Sequence, residues 1–440
     1  MKILLVNVVD PRDSTAIPHL GLSYVASYLR SKGFNDVEIK NTPVDYEKEK
    51  ADIIGLTAVS QNYTLARNEA AKAKAAGAIV VIGGVHITLL PETMDNNMDI
   101  GVVGEGEITF HEVVSTIEKH GLDVKYLDKI KGIAFWKNGK ISRTKPRPLV
   151  DDLDTLPFPA GDLLEDKTMP TMVTSRGCPF KCVFCCSSKL WPRVRFHSSK
   201  YVLDEIKYLV AEGAKHITFT DDLFIADIKR LREIADGLKL EGMSDKLTFT
   251  MWCKASLIHD DTTEMLKEMN TELVSLGLES GDENVLNYAK QGSATVADNE
   301  RAVNLLRDNG INVQATFVIG FPQDTRESIM KTFDHIKRSR LNSFEVYMLA
   351  PLPATPIWDI AMKKGLVSED KDFNWSSIAH RAEYDMNEKI VLTDNLTPQE
   401  LFELHKKFIW LRKKRKFRHM IKNAAHHPYR IPVYVRKKMF

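Results

Sequence analysis

Four of the five cysteines in the sequence fall within nine residues: Cys178, Cys182, Cys185 and Cys186. They lie in and just after the stretch Arg176-Gly177-Cys178-Pro179-Phe180-Lys181-Cys182-Val183-Phe184-Cys185, in which three of them have C-x3-C-x2-C spacing. Three thiolates at this spacing can hold three irons of a cubane and leave the fourth iron open to a small chelating ligand. Electron-transfer clusters ordinarily use four cysteines. A zinc site uses four tetrahedral Cys or His ligands, commonly as two separated pairs. Cys186 adjoins Cys185 and is an awkward fourth ligand, while Cys253 is distant in sequence. Clustering of this kind in a cytosolic chain of this size argues for a metal site over a disulfide framework. The ring of Phe184, just before the last cysteine, can shield a cluster.

The elements that must position these residues show two alternating series. In the first 110 residues, strands are expected at Lys2–Val8, Asp36–Lys40, Asp52–Thr57, Ala78–Ile82 and Ile100–Val103, with helices across His19–Lys32 and Asn62–Ala76. Short loops between strands and helices mean a parallel sheet covered on both faces, which binds ligands at the carboxyl ends of its strands. Here those ends carry Gly83-Gly84 and Gly104-Glu105-Gly106, which let a ligand approach the backbone. Lys131–Arg143 reads as a hairpin turning at Asn138-Gly139. The Pro- and Asp-rich stretch Lys145–Met169 reads as a linker. A second series has strands at Thr171–Thr174, His216–Thr220, Leu247–Trp252, Leu273–Gly277, Val313–Ile319 and Phe344–Leu349. Six strand–helix units fit a partial barrel, since a closed eight-unit barrel needs about 250 residues. The fold class is therefore α/β: residues 1–145 a doubly wound sheet, 146–169 a linker, 170–366 a partial (β/α)6 barrel, and 367–440 a small helical, basic segment.

The cysteine motif with its preceding aromatic, opening a six-unit barrel, resembles the radical S-adenosylmethionine (SAM) superfamily over about Pro170–Gly365. The resemblance implies a [4Fe-4S] cluster on Cys178, Cys182 and Cys185 whose open iron chelates the amine and carboxylate of SAM. One-electron reduction then yields methionine and a 5′-deoxyadenosyl radical, which abstracts hydrogen from an unactivated carbon. It places Asp221 or Asp222, at the end of the second barrel strand, near the SAM amine. Glu279 and Ser280, closing the fourth, become candidates for the ribose or the methionyl part. Gly320, closing the fifth, lies in the stretch that packs against adenine. Each carboxylate has a competing role as a helix or loop cap. Lys254 is a candidate for the SAM carboxylate or a substrate anion, or a plain surface lysine. Lys290 resembles a lysine common in the subgroup.

Pro18-His19-Leu20-Gly21-Leu22, Gly83-Gly84-Val85-His86 and Val103-Gly104-Glu105-Gly106-Glu107 occur in the order found in the cobalamin-binding domain that precedes many radical SAM barrels. That resemblance implies a cobalamin tail in a slot lined by Thr57, Gly83, Gly84, Gly104 and Gly106, with His86 and Glu105 as hydrogen-bonding candidates. The D-x-H-x-x-G motif of many cobalamin domains is absent: Asp10-Pro11-Arg12 follows the first strand and offers no axial histidine. The first strand also lacks the G-x-G-x-x-G of a dinucleotide site. Facing strand ends of sheet and barrel would enclose one cavity, dry enough for radical chemistry.

Composition bounds the rest. The 440 residues are 43% hydrophobic and 27% charged, which excludes a disordered chain or a membrane bundle. No apolar run reaches the roughly 18 residues of a membrane-spanning helix, and the short apolar start does not read as a signal peptide, so a cytoplasmic location is expected. Lys and Arg number 61 against 59 Asp and Glu, but His405–Phe440 holds 13 of the basic residues and no acid. This basic tail packs as a helix with a solvated face or makes a peripheral membrane contact. Specific nucleic-acid binding is not expected, since no recognition module accompanies the charge.

The reading is a cobalamin-dependent radical SAM enzyme that methylates an sp3 or sp2 carbon of a small-molecule or lipid substrate, with an electron donor such as flavodoxin or ferredoxin. Cyclase or rearrangement chemistry, as on tetrapyrroles, is the alternative within the class. A non-catalytic iron–sulfur or cobalamin-binding protein is the alternative outside it.

Overall fold

A computed structural model describes residues 1–9, 19–163, 170–370, 372–378 and 390–426, with side chains as far as Lys416. The Asp10–Arg12 loop, Pro18, and the tail side chains beyond Lys416, including the basic Arg418, lie outside the described residues.

The N-terminal sheet has seven strands: β1 (Ile3–Asn7), β2 (Val37–Asn41), β3 (Ile53–Thr57), β4 (Ile79–Gly83), β5 (Ile100–Val102), β6 (Ile133–Lys137) and β7 (Lys140–Arg143). Their order is β2-β1-β3-β4-β5-β6-β7. The first five run parallel, and β6 and β7 add an antiparallel edge. β1 and β3 are buried along their whole length, as continuous apolar runs in a sheet covered on both faces should be. The chain winds outward in both directions from β1 and β3, so the switch point opens at their carboxyl ends. Asn138 and Gly139 both take positive φ (52° and 74°), the geometry that an Asn-Gly hairpin turn requires.

The second sheet is all parallel and has six strands: β8 (Thr171–Met172), β11 (His216–Phe219), β12 (Thr248–Cys253), β13 (Thr271–Glu279), β14 (Asn312–Ile319) and β15 (Ser343–Met348), in that order. Helices connect successive strands, giving the partial barrel. Between β8 and β11 a small antiparallel pair, β9 (Ser175–Arg176) and β10 (Arg195–Phe196), brackets the cysteine loop. Nothing in the sequence signals this pair, because two-residue strands carry no periodicity.

Two hydrophobic cores fill the sheets, and a third joins them. Phe219, Phe249, Phe317 and Phe344 pack between the barrel strands and the helices that cover them. Ile3, Leu5, Phe110 and Phe135 pack one face of the N-terminal sheet. The joining core combines Tyr63 and Ile82 of the N-terminal unit with Val183, Phe321, Trp358 and Trp375. Trp375 is fully buried, stacked on Trp358 with centroids 5.9 Å apart and edge-on to His86 at 4.4 Å. The stretch 145–163 is not free either: Leu153 and Leu156 pack with Leu20 and Tyr24, and Asp154 accepts from the Ser198 N–H at 3.0 Å.

The C-terminal helix Pro398–His426 buries Leu401, Leu404, Phe408 and Leu411, a 3–4–3 spacing that puts them on one face. It lies on β15, where His405 Nε2 is 2.8 Å from the Val346 carbonyl and Arg412 pairs with Glu345. Among the described residues no helix is long and apolar enough to cross a membrane.

Candidate functional site

The cysteine loop is held by backbone. Gly177 has φ of +103°, and a Cβ there would lie 2.9 Å from the Trp191 Cβ and 3.0 Å from the Arg193 carbonyl, so only glycine fits before Cys178. The Val183 N–H donates to the Ala289 carbonyl at 3.0 Å, and the Ile357 N–H donates to the Val183 carbonyl at 3.3 Å. Cys178, Cys182, Cys185 and Cys186 are half-buried free thiols, and Cys253 is buried. Burial pushes the Cys185 thiol up to about 12 and raises Cys178 as well; iron ligation would displace those protons. Among the described residues no three Cys, His, Asp or Glu side chains converge as a single ion would need. A cubane makes no such demand, since it spreads its cysteines over separate irons. Phe184 packs edge-on to Phe321 at 6.0 Å, beside the loop.

The two aspartates at the end of β11 part company. Asp221 is buried, and its carboxylate accepts from the Thr174 N–H at 3.1 Å, Thr174 Oγ1 at 2.7 Å and Ser175 Oγ at 2.5 Å. It knots the end of β8 to β11, and these bonds occupy its carboxylate. Asp222 is exposed, accepts from Ser187 Oγ at 2.7 Å, and acts electrostatically on the Cys178 and Cys185 thiols. Ser280 is likewise engaged within the protein. It is buried, its hydroxyl lies 3.1 Å from Thr332 Oγ1, and it accepts from the Asp282 N–H at 3.1 Å. Glu279 is buried with Oε1 2.7 Å from Lys290 Nζ. Gly320 has φ of +95° and its N–H donates to Asp324 at 2.8 Å; Leu401 of the C-terminal helix lies over it.

A cavity of about 330 Å³ opens at the carboxyl ends of β1, β3 and β4, within the size range of ligand pockets. Thr57, Gly83, Gly84, Gly104 and Gly106 all line it, and on the barrel side Ser175, Arg176, Thr220 and Asp222 do. Backbone lies open to it at two glycines: a Cβ on Gly104 would meet nothing within 4 Å, and one on Gly83 would only touch Val102 at 3.7 Å. Gly84 differs. Its φ is +95°, and a Cβ would lie 2.7 Å from both the Ala58 carbonyl and Thr57 Oγ1. His19 caps the helix Leu20–Ser31 by accepting from the Leu22 N–H.

His86 does not reach this cavity. It is fully buried, with Nδ1 2.9 Å from Ser60 Oγ and Nε2 2.9 Å from Thr93 Oγ1, and it stacks on Tyr63 at 3.7 Å. Both ring nitrogens are satisfied, and burial pulls the imidazole down to about 3. It is a core histidine. Glu105 borders the cavity, but its carboxylate is committed elsewhere: Oε1 lies 2.6 Å from Arg176 Nη1, and Oε2 takes Arg195 Nη1 at 3.0 Å and the Val150 N–H at 2.7 Å. It is therefore a tie between the units, not a free hydrogen-bonding group.

Arg176 was not singled out from the sequence. It stands two residues before Cys178, and its guanidinium also takes Glu107 Oε1 at 2.6 Å and lies over the Tyr24 ring. The only sequence signal was its place beside the motif. The donors present fit the two groups: three thiols grouped on one loop for a cluster, and a glycine-lined cradle for an extended ligand.

Comparison with known proteins places these features. Residues 172–336 match the family model described as Radical SAM superfamily, and residues 14–114 match the B12 binding domain. Over 400 residues the chain is 33% identical to an uncharacterized methyltransferase of Pyrococcus horikoshii, covering 83% of this chain and 84% of the relative. It is 26% identical over 399 residues to the anaerobic magnesium-protoporphyrin IX monomethyl ester cyclase of Rubrivivax gelatinosus, covering 81% and 69%. A bacteriochlorophyllide d C-12(1)-methyltransferase of Chlorobaculum tepidum is 27% identical over 312 residues, covering 70% and 65%. Among solved structures, the radical S-adenosylmethionine methyltransferase TsrM from Kitasatospora setae superposes with a TM-score of 0.69 at 20% identity, covering 82% of this chain and 76% of that one. The cobalamin-dependent enzyme OxsB gives 0.64 at 18% identity, covering 94% and 61%. At these identities the two structures share the fold.

Proposed function

The chain belongs to the radical SAM superfamily, in the branch that carries a B12 binding domain, and from that premise we propose that it methylates an unactivated carbon of a small-molecule substrate. A [4Fe-4S] cluster, SAM and cobalamin are the cofactors of that branch, and when bound they supply a 5′-deoxyadenosyl radical and a transferable methyl group.

In this reading Cys178, Cys182 and Cys185 hold three irons, and Phe184 shields them. Asp222 takes the SAM amine, and the stretch at Gly320 and Phe321 packs near the adenine. Thr57, Gly83, Gly84, Gly104 and Gly106 cradle the cobalamin tail. Arg176, gripped by Glu105 and Glu107, fixes the cysteine loop against that cradle. One observation carries the reading: a single cavity is lined by glycines of the N-terminal strand ends and by Asp222 and Ser175 of the barrel mouth. Two reactive centres that must share a substrate need such a common space.

The electron comes from a flavodoxin- or ferredoxin-like donor. The exposed Lys407, Trp410, Lys413 and Lys414 of the C-terminal helix suit a peripheral contact with an anionic membrane. The cyclase among the relatives keeps ring formation as a second reading.

The test needs no substrate. Reconstituted holoprotein with reduced cobalamin and SAM should form S-adenosylhomocysteine, and with reductant also 5′-deoxyadenosine. Cys182→Ala should abolish the deoxyadenosine. Deoxyadenosine without any S-adenosylhomocysteine would reject methylation in favour of the cyclase reading.

A further inference from the structure

Two lysines sit on the two phenylalanines of the cysteine loop. Lys254 Nζ, at the end of β12, lies 4.2 Å from the Phe180 ring centroid. Lys290 Nζ, at the end of the helix Glu283–Lys290, lies 5.8 Å from that of Phe184. Each residue is only 7% exposed. Ammonium groups are rarely buried unless paired.

Lys290 is paired, with Glu279 at 2.7 Å. The chain makes room for that pair. A Cβ on Gly277 would lie 2.5 Å from Glu279 Oε1 and 3.4 Å from Lys290 Nζ. Glu279 itself has φ of +57°, at the register shift between β13 and β14. A non-glycine residue held there stores strain of a kind that clusters at functional sites.

Lys254 has no such partner. Its Nζ donates to Ser293 Oγ at 2.9 Å, and Ser293 donates to the Lys290 carbonyl at 2.6 Å. Among the described residues no carboxylate forms a salt bridge with it. Burial, with Lys290 nearby, pulls the Lys254 ammonium down to about 8, so at pH 7 the three side chains carry two positive charges and one negative. Lys254 acts electrostatically on Cys178 and Cys182, and Lys290 on Cys182 and Cys185. A [4Fe-4S] cube held by three thiolates is an anion, and one-electron reduction adds a further negative charge.

We propose that Lys254 is the counter-cation of the cluster: the Glu279–Lys290 pair cancels itself, and the uncompensated Lys254 charge favours the reduced state and raises the cluster's midpoint potential. This rests on the three cysteines holding the cluster. The step concerned is one electron passing from an external reductant of flavodoxin or dithionite type into the oxidised cluster. No bond forms or breaks.

The experiment is a redox titration of the anaerobically reconstituted full-length protein, followed by electron paramagnetic resonance in the absence of SAM. Lys254→Met should keep the wild-type iron content yet, at the wild-type midpoint, hold about tenfold fewer reduced clusters for each oxidised one, a shift of about 59 mV to more negative potential. Lys254→Arg, which keeps the charge, should titrate near wild type. Lys254→Gln guards against a packing defect peculiar to methionine and should follow it. Neutral variants that titrate at the wild-type midpoint would overturn the proposal, including the case in which they only weaken SAM binding. Wild type with no reducible cluster would bring down the cysteine assignment itself, and this inference with it.

Discussion

Arg176 and Glu105 meet at 2.6 Å across the boundary between the two sheets. Arg176 stands on β9 at the root of the cysteine loop, and Glu105 stands in the glycine loop that borders the cavity. Glu107 takes the other arm of the guanidinium, and Arg195 on β10 takes Glu105 as well. All four residues are buried or nearly so. Removing one partner of such a group leaves an uncompensated charge, which costs about 3–5 kcal/mol.

Arg176→Ala should therefore do more than destabilise. Denaturant unfolding should show the loss, and cobalamin and iron should both be retained less well, since one guanidinium serves both loops. Arg176→Lys should not restore them, because one ammonium cannot bridge two carboxylates as a planar fork does.

The same tie should loosen in acid. Burial pushes the Glu105 carboxyl up, but Arg195, Arg176 and the Val150 amide more than offset it and hold it below its ordinary value. A depressed carboxylate contributes stability above its unfolded value of about 4.3, and that stability is lost as pH falls through the lower folded value. His86 acts over a higher window. Its folded value of about 3 lies below the ordinary value near 6.5, so the unfolded chain takes up a proton first. Stability should fall by up to about 1.4 kcal/mol per pH unit on going down from pH 6.5 towards 3. His86→Phe should flatten that slope in denaturant melts at stepped pH, while leaving the spectrum of bound cobalamin unchanged.

Glycines of the cradle should divide by geometry. Gly83→Leu makes only ordinary contact with Val102, 3.7 Å from its Cβ, and should leave the unfolding midpoint nearly unchanged while abolishing cobalamin retention. Gly84→Ala forces a side chain against Ala58 and Thr57 at a positive φ, so it should lower stability first. Thermal melts of the cobalamin-free proteins, beside desalting assays, separate the two effects.

Cys182→Ala should lose the reducible cluster, whereas Cys186→Ala should keep iron at the wild-type level. Trp375→Ala should cost about 3–5 kcal/mol, because the ring fills the core that joins the units. Urea unfolding and iron analysis respectively check these.

The strands were legible because a covered parallel sheet demands continuous apolar runs, and Asn138-Gly139 announces its turn. The glycines of the cradle were legible for the same reason that they are needed: they sit at strand ends. The choice between Asp221 and Asp222 was not, since both lie past the end of β11, where no strand alternation assigns a face, and only the bonds from Thr174 and Ser175 reveal which one is buried. The buried setting of His86 was not legible either, because its partners, Ser60 and Thr93, come from two separate helical turns. The pairings of Arg176 with Glu105 and of Lys290 with Glu279 were not legible, because long-range pairing leaves no periodic trace.

Cobalamin retention tests the central claim most directly. The protein is reconstituted anaerobically, given hydroxocobalamin, desalted, and its absorbance recorded after reduction. The account predicts about one cobalamin per chain in the base-off form, with the cluster band alongside it. Loss of the corrin on desalting, with the cluster band intact, would contradict it and leave the N-terminal sheet without its cofactor and the methylation reading without its carrier.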